Sequence, residues 1–302
     1  MIFKEDLAAV IVLYHPVISD LLNVISVIEP TIARIYLIDN TPETSASLLA
    51  YSKTNNAIRY IPLNGNRGIA AAQNIGFREI KSEGRYKYVF QFDQDSCPDQ
   101  DMITELCNGY DALVEMDLPV GVIGPISLNK DTNEQYKLSD NSRDYVMSGI
   151  MEKSELMSSG SLISLKTLEG VGLMEEELFI DGVDSEWCWR AIAKGYKCFI
   201  HEKAVLNHKL GEGDRKLLGI SIAISSQFRT YYQFRNFIIL AGRKYVPTQW
   251  KIKNGFKFLV KLFYYPIFLK GGRVYAKNIA RGIRDGIAYR KAKNYIDLTV
   301  KY

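Results

Sequence analysis

The 302-residue chain holds only three histidines and four cysteines. Cys97, Cys107, Cys188 and Cys198 form no C-x-x-C pair and have no histidine-rich run beside them. That excludes a zinc or disulfide framework and leaves reduced thiols. No internal repeat, low-complexity tract or G-x-G-x-x-G fingerprint is present. Met1-Ile2-Phe3-Lys4-Glu5-Asp6 lacks a basic n-region and a cleavage site, so no secretory signal is expected and the expected location is cytoplasmic. Acidic residues nearly vanish from the last third: Lys216 to Tyr302 holds 18 Lys+Arg against 2 Asp+Glu, a surplus of +16. The remainder carries −12, so the formal net charge of +4 hides a split between the two parts. Such a split points to an anionic partner surface, a membrane or nucleic acid. No recognised nucleic-acid-binding motif accompanies the charge, so no nucleic-acid partner is expected.

What is there reads as an ordinary globular chain, 47% apolar and 24% charged. Ala8 to Tyr14 is a continuous apolar run closed by His15-Pro16, the pattern of a strand buried on both faces. Leu21 to Ile28 reads as a helix. Arg34 to Ile38 and Ile58 to Ile61 read as strands, and Ile69 to Ile80 as a small-residue helix entered through Asn64-Gly65-Asn66-Arg67-Gly68. Tyr88-Val89-Phe90 and Val120 to Pro125 are further strands. Strands alternating with helices at this spacing argue for a mostly parallel α/β sheet. Asn129 to Arg143 reads as loop, Leu162-Ile163-Ser164 as a strand start, and Asp184 as the N-cap of a helix running to Lys194 and closed by Gly195.

Beyond Lys216 the chain turns helical, basic and aromatic. Gly255 to Leu269 is rich in Phe and Tyr, with Lys253, Lys257 and Lys261 spaced to share one helix face. It is too short and too charged to span a bilayer, and an amphipathic helix lying in the membrane interface is expected. The plain alternative is a helical hairpin with a solvated basic face. The domain reading is therefore residues 1–215 for the α/β part and 216–302 for the helical part.

Phe92-Asp93-Gln94-Asp95-Ser96 closes an apolar strand, and ligands gather beyond the carboxyl ends of such strands. Two carboxylates there suit a hard divalent cation bound to a diphosphate. Asp39 ends the second strand, where it could accept from the imide of a pyrimidine or simply open an Asx-turn at Asp39-Asn40-Thr41-Pro42. The glycine turn Asn66-x-Gly68 permits close backbone approach to a nucleotide, or plain helix packing. Asp181, Asp184 and Glu186 surround a helix start. Asp184 could be a general base or only a cap. His208 could complete a metal site or be a polar loop residue. Arg229, Tyr231, Tyr232 and Arg235 offer guanidinium and phenol groups suited to a diphosphate, or a solvated helix face.

Taken in order and spacing, Asp39-Asn40, Asn66-x-Gly68, Asn74-x-Gly76, Asp93-x-Asp95, Val183-Asp184 before Trp187-Cys188-x-Arg190, and His208 resemble the family-2 inverting glycosyltransferases of the GT-A fold. Gln91-Phe92-Asp93-Gln94-Asp95-Ser96 and Tyr231-Tyr232-x-x-Arg235-Asn236 are most similar to the bacterial rhamnosyltransferase branch. Two departures stand out. Val183 occupies the first of the family's two acidic positions, and the processive Gln-x-x-Arg-Trp motif is absent, so transfer of one sugar per encounter is expected. The resemblance implies a nucleotide-diphosphate sugar donor, dTDP-L-rhamnose, a lipid-linked glycan acceptor at the inner face of the cell membrane, and Mg²⁺ or Mn²⁺. It implies Asp95, Asp93 and His208 at the metal, with Tyr14, Asp39, Asn66, Gly68, Asn74, Asp93 and Arg235 around the donor nucleotide. Asp184 is the implied base, and Gly160, Ser161, Asp181, Glu186 and Trp187 lie toward the acceptor. A nucleotidyltransferase would need a glycine- and arginine-rich loop after the first strand, where Tyr14-His15-Pro16 stands. A non-catalytic membrane-binding protein is the other rival.

Overall fold

The apolar run after residue 6 forms β1 (Leu7–Leu13), buried along almost its whole length. A strand covered by helices on both faces requires that. The computed structural model describes the backbone of residues 1–129, 144–208, 214–217 and 220–299, and the side chains of these except 208–223 and 294–299. After β1 come α1 (Ile18–Ile28), β2 (Arg34–Asp39), α2 (Ala46–Thr54), β3 (Ile58–Pro62), α3 (Ile69–Glu83) and β4 (Tyr88–Asp93). Next are β5 (Cys97–Pro98), α4 (Met102–Glu115), β6 (Val120–Asn129), β7 (Tyr145–Met147), β8 (Ile150–Lys153), β9 (Leu162–Ser164) and α5 (Leu165–Val171). The loop expected over Asn129 to Arg143 lies outside the described residues, except that Asn129 ends β6.

The strands run β3-β2-β1-β4-β9-β6-β10-β8-β7, where β10 is Lys197–His208, and β5 pairs with β10. The first four are mutually parallel. The sheet as a whole is mixed rather than mostly parallel. β9 runs antiparallel between β4 and β6, and β8 runs antiparallel to β10. A parallel neighbour needs a long crossover, whereas these short strands are reached by loops and can pair antiparallel. Helix α3 lies close to the sheet because Gly76 has no side chain: a Cβ there would stand 2.6 Å from Val10 Cγ2.

Helix α6 (Val183–Ala193) begins two residues earlier than expected. Asp184 is therefore the second residue of its first turn and not its N-cap. Gly182, at φ +86°, supplies the turn into the helix. At the other end Gly195 adopts φ +88°, Tyr196 N donates to Ala191 O and Gly195 N to Ile192 O. These two bonds satisfy the last carbonyls of a helix that no longer has intrahelical donors for them.

The chain divides into two compact units, 1–179 with 187–210, and 180–186 with 211–302. The second contains the hairpin β11 (Asp214–Leu217) and β12 (Ile220–Ala223), then α7 (Gln227–Ala241), α8 (Thr248–Phe268) and α9 (Gly272–Thr299). Its buried centre is Phe234, Tyr265, Tyr275 and Ile279. Helices α7 and α9 meet at two glycines, Gly282 and Gly286. Added Cβ atoms would stand 2.5 Å from Tyr231 O and 2.8 Å from Arg235 O. No helix among the described residues is long and apolar enough to cross a membrane. The lysines expected to share one face of α8 are not equivalent. Lys261 Nζ donates to Gln233 Oε1 and sits over the Phe258 and Tyr265 rings, whereas Lys253 is exposed.

Candidate active site

Parallel pairing brings the ends of β2, β1 and β4 to one edge of the sheet. Leu13 pairs with Asp39 and Val12 with Asp93, so Tyr14, Asp39 and Asp93 leave the sheet side by side. The chain winds from β1 toward β2 and β3 on one side, while β4 lies on the other. Strand order thus reverses between β1 and β4, the place where open α/β sheets bind ligands. Gln94 bridges this point. Tyr14 N donates to its Oε1 at 2.7 Å, and its Nε2 donates to Tyr14 O at 3.2 Å. The amide thus pairs with the backbone as a strand neighbour would, and it ties the acidic loop to the end of β1.

Behind that loop lies a chain of buried serines. Asp93 N donates to Ser159 Oγ at 3.0 Å, and Ser159 Oγ donates to Ser96 Oγ at 2.9 Å. Asp93 is half-buried and Asp95 exposed. Strand β10 returns antiparallel to the segment following Asp95, with Leu206 opposite Pro98 and Asn207 opposite Cys97. The backbone of His208 is therefore the next residue along that register, while its side chain lies outside those described. No group of three potential ligands gathers among the described residues. Two carboxylates with phosphate oxygens and water are nevertheless the donor set a hard ion such as Mg²⁺ or Mn²⁺ takes. The chemistry of Asp93 and Asp95 fits such an ion.

Asp39 is buried. It accepts from Thr41 N at 3.0 Å, the Asx-turn, and from Tyr60 OH at 2.6 Å. Burial first, then this carboxylate, pushes the Tyr60 phenol up to about 12. Two of the roughly four acceptor positions of the carboxylate are thus in use. Asn40, next to it, organises the glycine turn. Its Oδ1 accepts from Arg67 N, and its Nδ2 donates to Asn66 Oδ1 and Gly68 O. Asn66 Oδ1 also accepts from Gly68 N.

Several expected ligand-binding residues prove to be committed to the fold. Gly68, at φ +84°, makes room for Phe179: a Cβ would stand 2.6 Å from its ring, and Ile69 N donates to Phe179 O. What approaches this glycine is therefore protein, and the first amide of α3 is already bonded. Asn74 donates to Met174 O and Glu176 Oε1 and accepts from Met174 N, so both its donors brace a loop. Asn74 and Arg78 together hold the Glu176 carboxyl below its usual range. Ser161 is fully buried, donating to Ser158 O and accepting from Gln91 Nε2. Gly160, at φ +78°, lies against Pro125, where a Cβ would come within 2.7 Å of Cγ. Trp187 is buried with Nε1 on Gly172 O.

In the helical unit, the segment before α6 is strained and clamped. Asp181 holds φ +64°, an angle uncommon outside glycine though commoner for Asp than for most residues, and a constraint from α7 keeps it there. Asn236 supplies that constraint by donating to Ile180 O at 2.7 Å and Asp181 O at 2.9 Å. Arg229 grips the Asp181 carboxylate with Nε and Nη2, and this pairing raises the guanidinium pKa further. Glu186 is fully buried, bonded by Arg243 Nη1 at 3.0 Å and Tyr245 OH at 2.6 Å. Burial, then the Glu186 charge, pushes the Tyr245 phenol up. Of the three carboxylates around this helix start, Asp181 and Glu186 are neutralised by arginines, and Asp184 is half-buried in the first turn. Arg235 stacks on Tyr232 at 4.9 Å and donates from Nε to Asn236 Oδ1.

Gln94, Asn40, Ser159 and Asn236 were not singled out as site residues from sequence. Each acts through bonds to partners distant in sequence, for which no local pattern exists.

Residues 15–159 match the family model described as Glycosyl transferase family 2. The dTDP-rhamnosyl transferase RfbF of Shigella flexneri is 31% identical over 259 residues, 83% of this chain and 85% of that protein. Among solved structures, GalNAc-T7 with UDP, GalNAc and Mn²⁺ matches 87% of this chain and 57% of its own, with a TM-score of 0.55 at 13% identity. TarS of S. aureus (residues 1–349) matches 92% of this chain and 81% of its own, with a TM-score of 0.53 at 9% identity.

Proposed function

From the premise that the chain belongs to glycosyl transferase family 2 and is a glycosyltransferase, we propose that it transfers L-rhamnose, with inversion, from dTDP-L-rhamnose to a hydroxyl of a lipid-linked glycan. The reaction takes place at the inner face of the cytoplasmic membrane, in the assembly of a cell-surface polysaccharide. One observation carries the chemical part: Tyr14, Asp39, Asp93 and Asp95 gather at the reversal point of strand order, joined by Gln94. The sugar assignment draws on the Shigella relative.

Asp39 receives the pyrimidine of the donor through its remaining acceptor positions, and Tyr14 flanks it. Asp93 and Asp95 would hold Mg²⁺ or Mn²⁺, with His208 as the third protein ligand. When bound, such an ion neutralises charge on the departing diphosphate. Asp184 takes the proton of the acceptor hydroxyl as its oxygen attacks the anomeric carbon from the face opposite the diphosphate. A single displacement inverts the configuration and needs no covalent intermediate. Asp184 stands in the first turn of α6, at the second of the two acidic positions that the family carries before this helix.

The test joins a binding panel to one variant. Thermal shifts with thymidine, uridine and guanosine diphosphates and their sugars, with and without Mn²⁺, should show dTDP-L-rhamnose protecting most. A clear preference for a UDP-hexose would overturn the rhamnosyl assignment. Asp184→Asn keeps the side chain's shape but cannot accept a proton. Melting temperature and donor affinity should stay near wild type while turnover falls roughly 10²–10⁴-fold. Retention of most activity would remove Asp184 from the base role.

A further inference from the structure

Helix α8 has two apolar faces, and only one of them is covered by protein. The inner face includes Tyr265, fully buried, and Phe258 packed against the same cluster. The outer face is a row of Ile252, Phe256, Leu259, Phe263 and Ile267, exposed by 70, 58, 53, 61 and 68%. Their spacing of four, three, four and four residues makes a single stripe along the helix. At 1.5 Å per residue it is about 22 Å long. Lys253 and Lys257 follow on one flank, one exposed and the other half-exposed. Lys261, which sequence spacing adds to this flank, is turned onto Gln233 and two rings of the core.

We propose that this stripe is the membrane-contacting surface of the protein, inserted parallel to the plane of an anionic leaflet with Lys253 and Lys257 at the headgroups. The proposal deepens the membrane-side reading above and depends on it only for biological setting. A row of large apolar side chains in water is unfavourable, and burial in the acyl boundary removes that exposure. The occupant is identified by charge. The region from Lys216 to Tyr302 carries a surplus of +16. A second copy docked on the stripe would bring two such surfaces together, whereas an anionic leaflet supplies the opposite sign. A spanning role is excluded for α8, because it is not apolar enough.

Flotation of the full chain with phosphatidylcholine vesicles, or with equal parts of phosphatidylcholine and phosphatidylglycerol, tests this. Wild type should float with the anionic vesicles at low salt and much less at high salt. The double variant Phe256→Ser/Phe263→Ser should lose flotation by roughly tenfold or more, since the interfacial affinity of an amphipathic helix scales with its buried apolar area. Lys253→Glu/Lys257→Glu should weaken binding to anionic vesicles, and Lys261→Gln should leave it unchanged. A Phe263→Trp variant gives an independent readout: brominated lipid should quench fluorescence in excess of that lost by wild type. The proposal is overturned if wild type stays in solution, or if the double serine variant floats like wild type. Absence of extra quenching, or sedimentation showing a dimer that the serine variant dissolves, overturns it equally. Donor hydrolysis in vesicle-free solution by the same variants should equal wild type. A chain that floats but consumes no donor would refute the catalytic reading and leave this surface standing.

Discussion

Helix α3 of the α/β unit and helix α8 of the helical unit both present regularly spaced small or apolar residues, yet they meet different fates. Helix α3 buries Ala70, Ala72, Gln73, Asn74, Gly76, Phe77 and Ile80. Helix α8, six residues longer, buries only Tyr265 completely and leaves a five-residue stripe in water. The first helix has a sheet to lie on. The second belongs to a smaller unit, in which Phe234, Tyr265, Tyr275 and Ile279 form the buried cluster beside it. Periodicity therefore marks a face, and the supply of neighbouring surface decides whether protein covers it. The same contrast runs through the charged groups. In the α/β unit Asp95 of the acidic loop is exposed just past a strand end, while in the helical unit Asp181 and Glu186 are closed off by arginines.

The largest effect expected from breaking this contrast lies in the acidic loop. Asp95→Asn removes an exposed carboxylate that bonds to no other side chain or backbone group among the described residues. Turnover should fall by roughly 10³-fold or more, the several kcal/mol that charge stabilisation at a metal contributes. Melting temperature should not change, and added Mg²⁺ or Mn²⁺ should not restore the rate. Full activity of wild type in excess chelator would sink the metal assignment.

Next comes the packing of the helical unit. Alanine at Gly282 would gain about 1 kcal/mol of helix propensity. Its Cβ, however, would stand 2.5 Å from the Tyr231 carbonyl, a backbone atom that cannot move aside. Overpacking of that kind costs about 1–3 kcal/mol, so the clash should win. Gly282→Ala should lower the unfolding midpoint in denaturant. An unchanged or higher midpoint would show that α7 and α9 approach less closely than described.

A smaller effect is expected at Gln94. Gln94→Ala removes two bonds to the Tyr14 backbone, each worth about 1 kcal/mol net. The KM for donor should rise about tenfold with a much smaller change in kcat, because positioning and not proton transfer is lost. A pure kcat defect would contradict that role.

The smallest effect concerns pH. Burial holds the His201 imidazole below its usual pKa, against the opposite pull of Glu105 at 3.6 Å. The unfolded chain then binds the proton more readily than the folded one. The stability linked to this group is complete above about pH 6.5 and is lost as pH falls toward the lower folded value. His201→Gln should flatten the acid limb of a stability profile between those limits. A limb as steep as wild type would show that other groups govern it.

Much of the architecture was legible in residue order. The Leu7–Leu13 run, the strand Arg34–Asp39 and the turn at Gly195 each carry a local signal: apolar continuity, β-branched content, or a glycine at a helix end. Strand-end carboxylates are similarly visible, because a charge directly after an apolar strand must emerge at the sheet edge. Helices α2 and α4, the mixed direction of the sheet and the true start of α6 were not read. The antiparallel entry of β9 depends on partners far away in the chain. Asp184 was displaced from the cap position because Gly182 could adopt a backbone angle that let the helix begin earlier.

Sequence by itself determined the class of this protein: a parallel βαβ start, two carboxylates at the end of β4, and a basic helical tail. Each follows from composition and period within a few residues. Only the tertiary structure decided which polar groups remain available for chemistry. Asn74, Ser161, Trp187 and Glu186 have suitable functional groups, and folding spends each on a bond to a distant partner, because a buried polar atom left unpaired is costly. It also decided that Lys261 turns inward while Ile252, Phe256, Leu259, Phe263 and Ile267 face out. A helix of given periodicity has several apolar arcs, and the one it buries is chosen by the helices beside it.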